Sequence, residues 1–97
     1  MYGTVARFLV KETMGQAFQA YITKEANTVK AQGELGSYVY QMDSNSREFY
    51  LVVLFETRTA YQANAQSPEQ HQRYLELMQY MEAEPEWHDG EIVAGNS

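Results

Sequence analysis

The sequence FYLVVLFE, residues 49–56, contains seven consecutive apolar or aromatic residues followed by a carboxylate. Successive side chains of a strand point to opposite faces, and here neither set of alternate side chains is polar. The run is too short for a free-standing helix, and polar segments at residues 43–46 and 57–59 flank it. We therefore predict a central strand that is covered on both faces.

The length and composition of the chain are those of one small globular domain. Because 97 residues suffice for a modest core, we expect residues 1–97 to form a single domain. No apolar run approaches the ~20 residues that cross a bilayer, so we expect no membrane partner. The N-terminal residues lack the basic and apolar segments of a signal peptide, which predicts a cytoplasmic location.

Charge and side-chain chemistry argue against several classes of function. The chain has no cysteine, which excludes disulfides, thiolate catalysis and cysteine-ligated metals. Its two histidines, His71 and His88, lack the spacing of metal ligands, so we expect no metal. A formal net charge of -6 argues against nucleic acid, whose binding needs clustered Lys and Arg.

The first third of the chain predicts a strand and a helix. Residues 2–10 alternate in the manner of a strand. Thr13 and Gln16 have the spacing of a capping box, which predicts that a helix begins there, and Gly33 is a stop signal. An apolar stripe at near-helical spacing supports this helix. Its members are Met14, Phe18, Tyr21, Ile22 and Val29.

The rest of the chain predicts a hairpin, a two-part helical segment and a last strand. Residues 35–42 form a less apolar strand, as at a sheet edge, and the polar residues 43–48 turn the chain into the central strand. Residues 58–66 are helical, and Ser67 then caps a second helix that ends at Pro85. The apolar stripe of that helix is Tyr74, Leu77, Met78 and Met81.

After a loop at residues 86–90, residues 91–94 are predicted to form the last strand, and residues 95–97 a loose tail. The order is β-α-β-β-α-β, the split pattern of the ferredoxin-like fold. We therefore predict an α+β fold with an antiparallel sheet and two helices on one of its faces.

This fold leaves the second face of the sheet without helices, because right-handed crossovers place both helices on the same side. The central and first strands are nevertheless apolar on both sides. Such a bare face would exceed the few hundred Å² of contiguous apolar surface that a monomer tolerates. A second copy packed sheet against sheet is the simplest cover, which predicts a two-fold homodimer.

Three stretches resemble one known family. The central strand ends in Phe55-Glu56-Thr57, Tyr61-x-Ala63-Asn64-Ala65-x-Ser67-Pro68 follows, and the chain closes with PEWHDGEI at residues 85–92. These stretches are similar to the antibiotic biosynthesis monooxygenase family of dimeric α+β barrel proteins. The resemblance covers nearly the whole chain.

The resemblance implies a homodimer whose two sheets form a barrel, with a pocket between sheet and helices in each subunit. Characterised members oxidise quinol-like or polycyclic aromatic substrates with O2, and they use neither metal nor flavin. We therefore expect a cofactor-free monooxygenase with a small aromatic substrate. One branch of the family degrades haem with an Asn on the first strand and a Trp and a His on the second helix. The chain departs from that pattern, since residues 2–10 contain no Asn and residues 58–81 no Trp.

His71, Arg7 and Asn64 are candidate site residues, each with a structural alternative. His71 titrates near neutral pH and could accept a phenolic proton, or it could simply be solvated. Arg7 is a cation within an apolar strand, so it either pairs with a carboxylate such as Glu56 or acts on a substrate oxygen. Asn64 lies between the two helical parts, where it either caps a helix or closes the pocket.

Aromatic residues supply the remaining candidates for substrate binding. Tyr61 and Tyr74 could line an aromatic pocket with their hydroxyls, although each also fits the core stripe. Trp87 lies in the predicted loop before the last strand and could cover the pocket or clamp the dimer. His88 and Asp89 are adjacent, and adjacent residues rarely orient their side chains as a catalytic pair.

Two alternatives to the oxygenase are considered. A non-catalytic, ligand-binding or stress-associated dimer would use the same pocket without turnover, and oxygen consumption separates the two. RNA binding is suggested by residues 47–54, REFYLVVL, which resemble the basic-aromatic strand of RNA-recognition domains. Glu48, Tyr50 and Leu51 depart from that motif, and the net charge opposes it.

Overall fold

The computed structural model describes residues 1–28 and 30–96, and within them it contains four strands and three helices. The strands form one antiparallel sheet of order β2-β3-β1-β4. The strands are β1 (Tyr2–Leu9), β2 (Glu34–Met42), β3 (Asn45–Phe55) and β4 (Glu86–Glu91), and the helices are α1 (Gly15–Thr28), α2 (Arg58–Ala65) and α3 (Pro68–Met78). This confirms the predicted α+β fold.

The predicted central strand is confirmed, because β3 pairs with β2 on one side and β1 on the other. It is longer than predicted, since it begins at Asn45 rather than at residue 49. Most of the polar stretch 43–48 is therefore strand, and only residues 43 and 44 form the turn. Asn45 and Ser46 are exposed, so polar side chains are no obstacle to strand pairing there.

The predicted last strand is present, but its predicted bounds were wrong. Residues 86–90, predicted as a loop, belong to β4, whereas residues 92–94 lie beyond it. All six residues of β4 are exposed, because it is an edge strand held mainly by backbone pairing to β1. Its sequence EWHDGE therefore lacks the apolar alternation that identifies a strand.

Two helix boundaries also differ from the prediction. Helix α1 begins at Gly15, one residue later than a cap at Thr13 would give, since the Met14 carbonyl accepts the first helical bond, from the Phe18 N–H at 2.9 Å. Helix α3 ends at Met78 rather than at Pro85. The chain leaves the helix early because Met81 forms a bridge with Val10 and is buried in the core. Val29, predicted on the stripe of α1, lies outside the described residues.

The core lies on one face of the sheet, under the helices. Phe18 of α1 is fully buried, with its ring centre 4.9 Å from that of Phe49 and 6.1 Å from that of Phe8. Phe8 and Phe49 are register partners on β1 and β3. The buried cluster is Ala6, Phe8, Val10, Phe18, Phe49 and Met81. It fills the space over one end of the sheet, and Phe55 is buried at the other end.

The opposite face of the sheet carries exposed apolar and aromatic side chains. Val5, Tyr38 and Tyr40 are 42%, 63% and 52% exposed. Val5 and Tyr38 both pair with Val52, and Tyr40 pairs with Tyr50, so these side chains form one continuous surface. Among the described residues, no helix is long and apolar enough to span a bilayer.

Candidate functional site

A cavity of about 400 Å³ lies between the helix-facing side of the sheet and the helices. Strand alternation forms its floor, because every second residue of β1 and β3 points to this side. Thr4 of β1 pairs with Val53 of β3, and Phe55 lies two residues further along β3. The floor residues are Thr4, Phe8, Ser37, Val39, Leu51, Val53 and Phe55.

The break between α2 and α3 directs polar side chains at this floor. Thr57 caps α2 by accepting from the Ala60 N–H at 3.0 Å, and Ser67 caps α3 by accepting from the Gln70 N–H at 3.1 Å. The Ser67 hydroxyl also donates to the Asn64 carbonyl at 2.9 Å, which ties the two helices together. Thr57 and Ser67 therefore cap the two helices, whereas Asn64 lines the cavity.

The structure brings five of the six predicted site residues together at the cavity. They come from three elements: α2, α3 and β4. The five are Tyr61, Asn64, His71, Tyr74 and Trp87. Tyr74 lies at the cavity wall rather than in the buried core cluster.

Arg7 is the sixth candidate, and it lies on the opposite face of the sheet from the cavity. Its Nε donates to Glu48 and its Nη1 donates to Glu86 Oε2 at 3.1 Å. The hydrogen bond to Glu48 is the largest cause that raises the Arg7 pKa. The suggested partner Glu56 was wrong, because Glu56 follows the end of β3 that pairs with Tyr2, whereas Glu86 pairs directly with Arg7.

Tyr61 is fixed on two sides. Its hydroxyl donates to Asp89 Oδ1 at 2.7 Å, and its ring contacts Phe55 edge-on with centroids 5.5 Å apart. Burial, and then the Asp89 carboxylate, raise the pKa of Tyr61 to about 12. Tyr61 is therefore a neutral phenol at physiological pH, and its proton is held by Asp89.

Trp87 and His71 lie at more open positions. Trp87 is 39% exposed, and its ring stands edge-on to Phe8 with centroids 5.8 Å apart. Because Trp87 pairs with Ala6, it lies on a strand rather than in a loop and closes one side of the cavity. His71 lies in the first turn of α3 and is exposed, so its imidazole reaches both solvent and the cavity.

Asp89 and His88 point to opposite faces of the sheet. Asp89 pairs with Thr4 on the cavity side, and His88 pairs with Val5 on the other side. They are therefore not a catalytic pair. The contact of Asp89 with Tyr61 was missed because residues 86–90 were not predicted to alternate as a strand.

Sequence reasoning also missed six polar residues at the cavity, which are Thr4, Glu25, Glu34, Ser37, Gln70 and Arg73. Thr4 is 4% exposed, and its hydroxyl meets hydrogen-bonding geometry with none of the residues 1–28 and 30–96, although it lowers the Tyr61 pKa as a nearby donor. The Arg73 guanidinium donates from Nε and Nη2 to Gln70 Oε1 at 3.3 and 3.0 Å. In the sequence, the only sign that Arg73 lies near the cavity is that it stands close to Tyr74 and Leu77, which belong to the apolar stripe of its helix.

A family model for antibiotic biosynthesis monooxygenases matches residues 1–77. The chain belongs to the antibiotic biosynthesis monooxygenase family. A comparison with curated proteins gave no significant match.

Solved structures show the same monooxygenase-family fold. A protein from Deinococcus radiodurans named for this family superposes with a TM-score of 0.84 at 13% identity, over 100% of this chain and 97% of that one. A variant of SnoaB, a cofactor-independent oxygenase from Streptomyces nogalater, gives 0.83 at 12% identity, over 97% and 94%. Rv0793 from Mycobacterium tuberculosis gives 0.82 at 15% identity, over 99% and 98%. At these identities the likeness concerns the fold alone.

In this member of the monooxygenase family, the cavity has the size and lining of a small-molecule site. Its volume falls within the range of small-molecule sites, and its walls are mostly apolar or aromatic with a few polar groups. Among the described residues, no group of three or more His, Cys, Asp or Glu could hold a metal ion. What the walls provide is shape, the His71 imidazole, the carboxyl groups of Glu25 and Glu34, and hydroxyl, amide and guanidinium donors.

Proposed function

We propose that this member of the antibiotic biosynthesis monooxygenase family oxidises a small quinol-like or polycyclic aromatic substrate with O2, without a cofactor. The observation that carries the proposal is the cavity of about 400 Å³, which is lined by aromatic and apolar side chains and reached by one histidine. A planar substrate of two or three rings suits this volume and these walls.

The reaction needs little chemistry from the protein. In an anthrone-type substrate, the methylene carbon loses two hydrogens and gains an oxo group. One atom of O2 enters the substrate, the other leaves with the two hydrogens as water, and the substrate supplies the electrons. Proton removal makes the substrate electron-rich enough to reduce O2, so the protein supplies a proton acceptor and a water-poor site.

Within this proposal His71 is the proton acceptor. An imidazole nitrogen can accept a proton, and the position of His71 between solvent and cavity allows that proton to leave to bulk water. Tyr61 cannot serve as the base, because its own pKa is raised and Asp89 holds its proton. Tyr61, Tyr74 and Trp87 bind the aromatic body, and the Asn64 amide binds a substrate oxygen.

Arg7 was a catalytic candidate, but the proposal gives it no contact with the substrate, because it lies on the opposite face of the sheet. That face carries Val5, Tyr38 and Tyr40 in exposed positions, which supports a homodimer packed sheet against sheet. Arg7 and its two glutamates would then lie within the interface. A cytoplasmic location stays a prediction.

Oxygen uptake tests the proposal. Metal-free and flavin-free protein should consume O2 above the autoxidation background with at least one member of a panel of naphthoquinols, anthrones and catechols. His71→Ala should lower this rate, whereas His88→Ala should not, because His88 faces away from the cavity. No uptake above background with any substrate would reject the oxygenase.

A second candidate is a non-catalytic, small-molecule-binding homodimer. One observation favours it: no hydrogen bond within the described chain orients the His71 imidazole, whereas general bases are usually held by a partner group. Saturable binding of the same aromatic compounds without O2 consumption would support this alternative.

A further inference from the structure

Arg73 places a cation at the cavity without a carboxylate partner. The side chain is half-buried and lines the cavity, and it donates two hydrogen bonds to the neutral amide oxygen of Gln70. Within residues 1–28 and 30–96, Arg73 forms no ion pair with an Asp or Glu. The guanidinium therefore lies at the cavity edge with no carboxylate of the described residues within ion-pair distance.

Two of the other three arginines bind carboxylates, and the third, Arg58, stacks on the Tyr2 ring outside the cavity. Arg7 pairs with Glu48 and Glu86, and Arg47 pairs with Glu82 at 2.7 Å. The chain has 13 acidic residues and a net charge of -6, so carboxylates are abundant. An unpaired guanidinium at the cavity is thus a feature that a ligand can use.

Gln70 orients the Arg73 guanidinium but occupies only some of its N–H groups. Gln70 lies one turn before Arg73 on α3, and its backbone N–H is itself fixed by the Ser67 hydroxyl. A guanidinium has five N–H groups, and Gln70 accepts from two of them. The remaining N–H groups match the geometry of an oxyanion, to which hydrogen bonds are stronger than to a neutral oxygen.

The other charged groups at the cavity limit the charge of the ligand. Glu25 and Glu34 line the same cavity from α1 and β2. Glu34 accepts from the Ala31 N–H at 3.4 Å, and Glu25 lies near enough to Tyr21 to contribute to raising the Tyr21 pKa. A second negative charge on the ligand would meet repulsion from them.

We propose that Arg73 determines ligand specificity by binding the oxygen of an aromatic phenolate that carries a single negative charge. This rests on the small-molecule role proposed above but not on the oxygen chemistry. For the oxygenase, the same contact stabilises the ionised substrate after its proton has left. For a non-catalytic binding protein, it selects ionised phenols over their neutral analogues.

Binding of 4-nitrophenol tests the proposal, because the absorbance of this probe distinguishes the phenolate from the phenol. Arg73→Gln should bind the phenolate about tenfold more weakly, as expected for the loss of a hydrogen bond between charged groups. The neutral analogue 4-nitroanisole should bind both proteins equally within about twofold. Arg58→Gln is the matched control, because Arg58 stacks on the Tyr2 ring and lies outside the cavity lining.

Other results would overturn the proposal in distinguishable ways. Unchanged phenolate affinity in Arg73→Gln, or equal weakening of both probes, would reject selection by Arg73 while leaving the binding cavity intact. Failure of wild type to bind either probe would overturn this proposal, and the small-molecule role would be rejected with it if the naphthoquinols and anthrones also failed to bind. If Arg73→Gln does not fold, the wild type still decides: rising salt should weaken binding of the phenolate and not of 4-nitroanisole. If rising salt changes the binding of both probes equally, the proposal is overturned.

Discussion

Tyr61 connects three parts of the molecule through one side chain. Its ring packs on Phe55 of β3, its hydroxyl donates to Asp89 of β4, and it lines the cavity from α2. Burial in this position raises its pKa to about 12, whereas an unfolded tyrosine has a pKa of about 10. Between these values the unfolded chain releases the Tyr61 proton and the folded chain keeps it. The stability of the fold should therefore decrease as pH rises through this window.

Two variants test this linkage. Tyr61→Phe should make the urea unfolding midpoint less sensitive to pH between about 10 and about 12, because one late-titrating group is removed. Asp89→Asn should lower the pKa of Tyr61, which an absorbance titration at 295 nm reports, because the negative acceptor is lost while burial remains. An unchanged titration curve in Asp89→Asn would show that the Asp89 carboxylate does not raise the pKa of Tyr61.

A residue of the candidate site could be predicted from the sequence where its residue type is unusual for its position. Tyr61, Asn64, His71 and Tyr74 were identified as unusual polar or aromatic residues on helices with a recognisable start. Arg73 was missed because a charged residue on an amphipathic helix normally indicates the solvated face. Whether a charge near the edge of a helix stripe reaches a cavity depends on how the helix is rotated on the sheet, which the sequence pattern does not specify.

At the scale of elements, the side-chain pattern of the sequence predicted the strands and helices that bury apolar residues. The apolar part of β3 and the break between α2 and α3 were predicted correctly, because a strand that is apolar on both faces and the Ser67 cap have direct sequence signals. β4 was misplaced, since backbone pairing to β1 holds an edge strand whose side chains are all exposed. The error also hid which of the adjacent residues His88 and Asp89 faces the cavity.

The packing of β1 against β3 depends on Gly3. A Cβ atom at Gly3 would lie 2.3 Å from the Val53 carbonyl oxygen, and this backbone atom cannot move aside cheaply. Gly3→Ala should therefore destabilise the protein by about 1–3 kcal/mol and disturb the cavity floor at Thr4 and Val53. Gly90→Ala is the matched control, because Gly90 pairs with Gly3 but nothing lies within 4 Å of its added Cβ. Equal urea midpoints of both variants would refute the steric argument.

At the scale of the whole molecule, the bare sheet face explains why the central strand is apolar on both sides. One set of its side chains covers the core and cavity, and the other set forms a surface with Val5, Tyr38 and Tyr40. A polar surface would serve a monomer better. We therefore expect two copies to pack sheet against sheet.

Sedimentation measures this association directly. Wild type should sediment as a dimer at micromolar concentration, and Val5→Lys should shift it to monomer because a charge would be buried at the interface. Val93→Lys is the control, since Val93 is 92% exposed in the segment after β4. A monomeric wild type would remove the support for the sheet-to-sheet dimer.

Oxidation of anthrone under ¹⁸O2 by metal-free, flavin-free protein tests the central claim most directly. The cavity and His71 predict anthraquinone formation faster than in protein-free buffer, with one ¹⁸O atom in the product. The rate should fall at least about tenfold in His71→Ala, in keeping with the loss of a general base, and stay unchanged in His88→Ala. Formation at the protein-free rate, or a product oxygen drawn from water, would contradict the claim that this cavity is the site of a cofactor-independent monooxygenase.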